Sequence, residues 1–323
     1  MTDVFPALTL DAVCDLLLAA QRPLILSHAR PDGDTIGSAA ALCLFFARRG
    51  TPAAFACADP VPKRLGFLLE GVPLREPSSD PDTIIAVDVA SPSQLGSLAT
   101  VYAGRVSLMI DHHGTGTPFA PYWIRPDAAA TGEVLGGIFR RLSARGDAPA
   151  ADPDIAARLY AAVSSDTGCF RYANATPKTH RFAAALLATG IRADRINHAL
   201  FEARSPEQLA AERIALDRLR LFEGGRIAMV TLTRADRGAL ADEYFETAID
   251  VARSVAGVEI AVSLRETGPG IYRASLRSTD ADVAAVAAAL GGGGHLHAAG
   301  CTLQADSMES AVRLLLPRLV RAL

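Results

Sequence analysis

The stretch "LILSHARPDGDTIGSAAALCLFF", residues 24–46, decides the fold. A short apolar run ends abruptly in His28, passes Asp32 and Asp34, and continues into a second apolar run that stops at Gly50. The first run reads as a buried strand and 35–49 as a helix, with Gly50 as its C-terminal cap. A surface turn rarely crowds an imidazole and two carboxylates between two buried elements. Asp34 taken alone could simply cap the helix.

The same pattern continues outward. "AAFAC" (53–57), "TIIAVD" (83–88) and "VSLMID" (106–111) are further short apolar strands alternating with helical stretches. That alternation predicts an α/β domain, a parallel sheet with flanking helices. Asp88 and Asp111 end their strands as His28 nearly ends its own, and open α/β sheets bind ligands at that edge. From 129 to 222 the pattern is helical, over 131–145, 154–164, 177–189, 193–203 and 206–222. The last of these is charged and reaches Gly224-Gly225, so 206–225 is expected as a helical linker after a first domain of 1–205. Residues 226–323 read as a smaller α/β domain with a mixed sheet, including two strands joined by a Gly-Pro-Gly hairpin.

Composition agrees with two domains. The chain has 323 residues, half of them hydrophobic and 21% charged, enough for real cores and against wholesale disorder. A net charge of −3 and a pI near 6.2 argue against a protein that coats long nucleic acid. Five scattered cysteines without a C-x-x-C pair suit reduced thiols in a cytoplasmic protein. "LTLDAVCDLLLAA" (8–20) is broken by Asp11 and Asp15 and reads as an amphipathic helix rather than a signal peptide. No apolar run approaches the ~20 residues that span a bilayer, so no membrane partner is expected.

Four clusters carry the chemistry: His28, Asp32 and Asp34; Asp88; "MIDHHG" with Asp111, His112 and His113; and "SSDTGCF" with Asp166. All four are expected at strand ends along one sheet edge. Each residue singly has a bland reading as a cap, a turn former or a satisfied buried histidine. Together, several carboxylates on one edge would repel one another, and divalent cations are the usual remedy. Oxygen and imidazole donors without thiolate suit Mn²⁺ or Mg²⁺.

With these motifs in this order, the chain resembles the DHH phosphoesterases, named for the triplet found here as Asp111-His112-His113. "GGGGHLHAAG" (291–300) is similar to the glycine-rich signature of the DHH-associated C-terminal domain, so the resemblance covers nearly the whole chain. It implies two divalent metal ions, most often Mn²⁺ with Mg²⁺ or Co²⁺ as alternatives. His28 and Asp32 would hold one ion, Asp34, His112 and Asp166 the other, and Asp88 would bridge them. Four carboxylates against two divalent ions balance to zero formal charge. Asp111 and His113 would orient a ligand, contact phosphate or assist the leaving oxygen. For the second domain the resemblance gives a substrate-holding role to Arg277 and to Gly292, Gly293, Gly294 and His295. Thr131 and Arg171 are weaker substrate contacts, Arg171 having the alternative of an exposed surface arginine.

Within that family the chain is most similar to the nano-RNase group. The resemblance implies hydrolysis of short 5′-phosphorylated oligoribonucleotides such as pApA, removal of the 3′-phosphate from 3′-phosphoadenosine 5′-phosphate (pAp), or both. Aromatics total only 6% with a single Trp, which disfavours holding long single strands by stacking. A cyclic di-AMP phosphodiesterase is the first alternative and a non-catalytic nucleotide sensor a distant one. The helical middle region leaves a homodimer open.

Overall fold

The computed structural model describes residues 5–76, 80–148 and 151–323; the His295 side chain lies outside the description. The chain divides into two compact units, one ending at Ala203 and the other spanning Arg204–Leu323.

The first unit begins with α1 (Leu10–Ala19), β1 (Pro23–Leu26), α2 (Gly33–Arg48) and β2 (Ala54–Ala56). Next come β3 (Thr83–Val87), α3 (Ala99–Tyr102), β4 (Leu108–Asp111) and β5 (Tyr122–Ile124). It closes with α4 (Thr131–Ala144), α5 (Pro153–Asp166), α6 (Pro177–Leu187) and α7 (Ala193–Asn197). The five strands form an all-parallel sheet in the order β2-β1-β3-β4-β5. Every residue of β1, β3 and β4 is buried, as expected of a parallel sheet covered on both faces. One face packs Ile25, Ile85 and Ile110 with Val13, Phe46, Leu135 and Tyr160. The other packs Leu24, Ile84 and Met109 with Leu95 and Phe119.

Close approach of helices aligns the catalytic edge. A side chain at Gly37 of α2 would stand 2.7 Å from the Arg158 carbonyl of α5, and one at Gly132 of α4 would stand 2.5 Å from Ala162 Cβ. Glycine at these places lets α5 lie against α2 and α4 lie against α5.

The second unit contains α8 (Pro206–Asp217), β6 (Leu219–Phe222), β7 (Ile227–Leu232), α9 (Arg234–Arg237) and α10 (Ala248–Arg253). It continues with β8 (Ile260–Gly268), β9 (Ile271–Ser278), α11 (Val283–Ala288), β10 (Gly293–His295), β11 (Ala298–Gln304) and α12 (Met308–Ala322). Its sheet runs β10-β11-β9-β8-β7-β6, mixed because β7 and β8 alone pair in parallel. The expected fold class is the one observed, and among the described residues no helix is long and apolar enough to cross a membrane.

Several elements differ from expectation. Residues 206–225 are not a linker: α8 buries Ala211 and Ala215 in the second unit's core, and β6 pairs with β7. Alanines make too small an apolar stripe for that face to stand out. The helix expected over 193–203 ends at Asn197 and continues as a π-helical turn, His198–Glu202. The three-residue β5 was not anticipated. The glycine run is no free loop, since Gly293 and Gly294 pair with Gly300 and Ala299 of β11.

Candidate metal centre

Three neighbouring strands supply the site's edge. His28 follows β1, Asp88 follows β3 and Asp111 ends β4. Asp166 departs from the expected placement: it ends helix α5 rather than a strand, and reaches the edge because α5 packs on α2. Asp88 has a φ of 59°, a left-handed conformation that costs a non-glycine residue on the order of 1 kcal/mol and clusters at functional sites.

These residues gather into three overlapping groups, two triads and the quartet Asp88, Asp111, His112 and His113. His28, Asp32 and Asp88 each offer a ligand atom within 4.8 Å of the others, and so do Asp34, His112 and Asp166. His28 Nε2 lies 3.7 Å from Asp32 Oδ2 and 3.5 Å from Asp88 Oδ2. His112 Nε2 lies 3.5 Å from Asp166 Oδ2, 3.9 Å from Asp34 Oδ2 and 3.8 Å from Asp88 Oδ1. Asp88 thus faces both triads, one oxygen toward each.

Backbone groups aim both imidazoles. His28 Nδ1 lies 2.8 Å from the Ala29 carbonyl and His112 Nδ1 lies 3.3 Å from the Ala128 carbonyl. Those contacts keep Nδ1 on the backbone and turn each Nε2 toward the carboxylates. Asp32, not Asp34, caps α2, its Oδ1 accepting from the Asp34 and Thr35 amides at 3.0 Å each. Asp34 is buried and accepts from the Thr131 and Gly132 amides (2.7 and 3.0 Å) and the Ser38 hydroxyl (3.1 Å). Asp111 Oδ1 accepts from both histidine amides and from His113 Nδ1, at 2.7 Å. Its Oδ2 is buried without a hydrogen-bond partner.

The clustered carboxylates and imidazoles perturb one another strongly. Burial pushes Asp34 well above the usual carboxylate range, and the charges of Asp88, Asp166 and Asp32 push it further. Burial likewise raises Asp166 to about 6 against the pull of His112. Burial draws the His28 imidazole down, yet hydrogen bonds to Asp32 and Asp88 carry it up to about 11. His113 rises to about 9, chiefly through its hydrogen bond to Asp111. Oxygen and imidazole donors around excess buried negative charge fit hard-to-borderline divalent cations.

Thr131 stands differently from its expected role as a substrate contact. It is fully buried, its hydroxyl donating to Asp88 Oδ1 at 3.0 Å while its amide holds Asp34. It frames the carboxylates and has no surface to offer a substrate. Arg171 is exposed, with Nε donating to the Gly168 carbonyl at 2.6 Å. In the second unit, Arg277 is half-buried on β9, opposite Ala298 of β11. A side chain at Gly294 would stand 2.5 Å from the Ala298 carbonyl, so glycine there is needed for the β10–β11 approach itself.

Two positioning residues escaped the sequence reading. Glu133 Oε2 accepts from the Ala129 amide and the Thr179 hydroxyl, at 3.0 and 3.1 Å. Asn174 Nδ2 donates to the carbonyls of Ala129 and Asp166, both at 3.1 Å, tying the two segments together. Glu133 had a faint signal as an acid in the first turn of an apolar helix; Asn174 had none.

Residues 22–163 match the family model "DHH family, N-terminal domain", and residues 227–319 match the "DHHA1 domain". The chain is 33% identical over 309 residues, 93% of its length and 90% of the relative's, to the bifunctional oligoribonuclease and PAP phosphatase NrnA of Thermus thermophilus. It is 24% identical over 294 residues to the Bacillus subtilis protein of the same name, covering 89% of this chain and 90% of that one. Among solved structures, an exopolyphosphatase-related protein from Bacteroides fragilis superposes with a TM-score of 0.85 at 23% identity, covering 97% of this chain and 95% of that one. The motifs, the paired triads and these matches agree, and the chain belongs to the DHH family, with a DHH domain followed by a DHHA1 domain.

Proposed function

We propose that this protein is a divalent-metal-dependent phosphoesterase that hydrolyses short 5′-phosphorylated oligoribonucleotides such as pApA to mononucleotides and removes the 3′-phosphate of pAp. The observation that carries the reading is the pair of carboxylate–imidazole triads meeting on Asp88. The relatives named for both activities, matched over nine-tenths of the chain, support the substrate class.

His28, Asp32 and Asp88 would hold one ion and Asp34, His112 and Asp166 the other, with Asp88 shared. Mn²⁺ is the proposed metal, since mixed imidazole and carboxylate donors suit it. When bound, such ions offset the four carboxylates, polarise phosphoryl oxygens and lower the pKa of water. The chain's own residues do the rest. Ala29 and Ala128 carbonyls fix the two imidazole tautomers, and Thr131 and Gly132 hold Asp34 and Asp88 in place. His113, raised to about 9, holds a proton near neutral pH that it can give to a phosphate or leaving oxygen. Arg277 and the Gly292–Gly294 run are proposed to hold a substrate phosphate in the second unit.

The test is product-resolved hydrolysis of pApA, pAp and cyclic di-AMP with Mn²⁺, each beside a chelated control. Chelator-sensitive conversion of pApA and pAp to AMP is expected, lost on Asp88→Asn. Cyclic di-AMP turning over fastest would make this a cyclic dinucleotide phosphodiesterase. Absence of turnover on all three would refute the reading in favour of a binding protein.

A further inference from the structure

On the second unit's sheet, β8 and β9 pair so that Arg265 stands directly opposite Arg273, Ser263 opposite Ser275 and Ala261 opposite Arg277. Directly opposed residues share a face, so Arg265, Arg273, Ser275 and Arg277 all project to the same side. The neighbouring β11 adds Gly300 opposite Ser275, and β10 adds Gly293 opposite Gly300. Beside Ser275 the face is therefore bare backbone, flanked along β9 by arginines at either end.

Several arginines of the unit already have a carboxylate partner. Arg218, Arg226 and Arg237 are ion-paired to Asp236, Glu259 and Asp242. Among the described residues Arg265, Arg273 and Arg277 form no carboxylate ion pair. Arg265 donates only to the Asp242 carbonyl at 3.3 Å, with Glu246 as its nearby opposing charge, and Arg277 only to the Leu276 carbonyl at 2.9 Å. Burial lowers the affinity of both for their protons, and the Arg273 charge adds to this at Arg265. Like charges directly opposite in a sheet work against the fold. Such a pair gains a purpose once an anion sits between the two guanidinium forks.

We propose that Arg265 and Arg273 together hold a second backbone phosphate, so that this sheet face binds single-stranded oligoribonucleotides longer than a dinucleotide. The inference rests on the oligoribonuclease reading above. Four residues along an antiparallel strand span about 13 Å, the separation of Arg273 from Arg277. That exceeds the step between neighbouring phosphates of one strand, so pApA cannot engage both ends of the face whereas a longer oligomer can. The glycine-floored stretch between them leaves room for the intervening sugar.

The experiment is binding of fluorescent 5′-phosphorylated di- and pentaadenylate to the full chain in chelator, where no turnover is needed. Two variants are compared with the wild type, Arg265→Gln with Arg273→Gln, and Arg273→Glu alone. Arg273 is exposed, so the single variant keeps the test valid should the double variant fold poorly. The expected result is a loss of pentamer affinity at least tenfold larger than any loss for the dimer, with the salt slope of pentamer binding falling by about 1. Equal losses at both lengths, no loss for the pentamer, or wild-type protein binding the pentamer no better than the dimer would each overturn the proposal. Failure of the function reading is seen separately, as absent hydrolysis by wild-type protein with Mn²⁺.

Discussion

Thr131 illustrates how much of the site lies in residues that touch neither metal nor substrate. Its hydroxyl is the hydrogen-bond donor to the Asp88 oxygen that faces His112. Thr131→Val keeps the shape and removes the donor, leaving that carboxylate oxygen free to turn. Groups that orient a ligand are typically worth 10–100-fold in metal affinity, and a loss of roughly that size is expected in a calorimetric Mn²⁺ titration, with Thr131→Ser restoring most of it. The ligand candidates themselves were readable in the sequence, because a charge at the end of an apolar strand has no packing reason to be there. The framing role of Thr131, and Glu133 and Asn174 altogether, were not, because a polar residue near a helix start serves equally well as a cap. Only the folded chain shows that Asn174 reaches two carbonyls from separate segments.

At the scale of elements, packing against α2 sets the site's spacing, and two glycines show how context decides the sign of a substitution. Gly→Ala within a helix ordinarily stabilises by about 0.5–1 kcal/mol. Gly137 on α4 has open space around it, so Gly137→Ala should raise stability by about that amount. At Gly37 the added carbon would press on the Arg158 carbonyl of α5; overpacking of this kind costs about 1–3 kcal/mol. Denaturant melts of both variants check the contrast, with lower Mn²⁺ affinity expected only for Gly37→Ala. Elements with a strong period, such as β1, α2, β3 and β4, were legible within a few residues. Those missed carry weak periods. α8 buries only alanines, β5 is three residues long, and a π turn differs from an α turn by a single extra residue.

Across the whole molecule, every group in both triads belongs to the first unit, and folding brings their charges close together. Asp166 is raised from 3.8 to about 6 and His113 from 6.5 to about 9, with His28 higher still. A group raised on folding stabilises below its unfolded pKa and loses that contribution as pH climbs through its folded one. In chelator the melting temperature should therefore fall between pH 5 and pH 8, Asp32, held below its usual value against burial by His28, acting in the opposite sense only at lower pH. An ion held by His28 would displace its proton, so saturating Mn²⁺ should reverse that trend. At a thousandfold excess over Kd it should add about 4 kcal/mol, a rise on the order of 10 °C. A flat or rising metal-free profile would contradict the charge distribution described above. Asp34 is held by the amides of Thr131 and Gly132, 97 and 98 positions along the chain. Closing loops of that size carries a chain-entropy cost that must be met before this carboxylate is in place. A divalent cation is therefore expected to act as a latch, slowing unfolding more than it speeds refolding in denaturant-jump kinetics with and without metal.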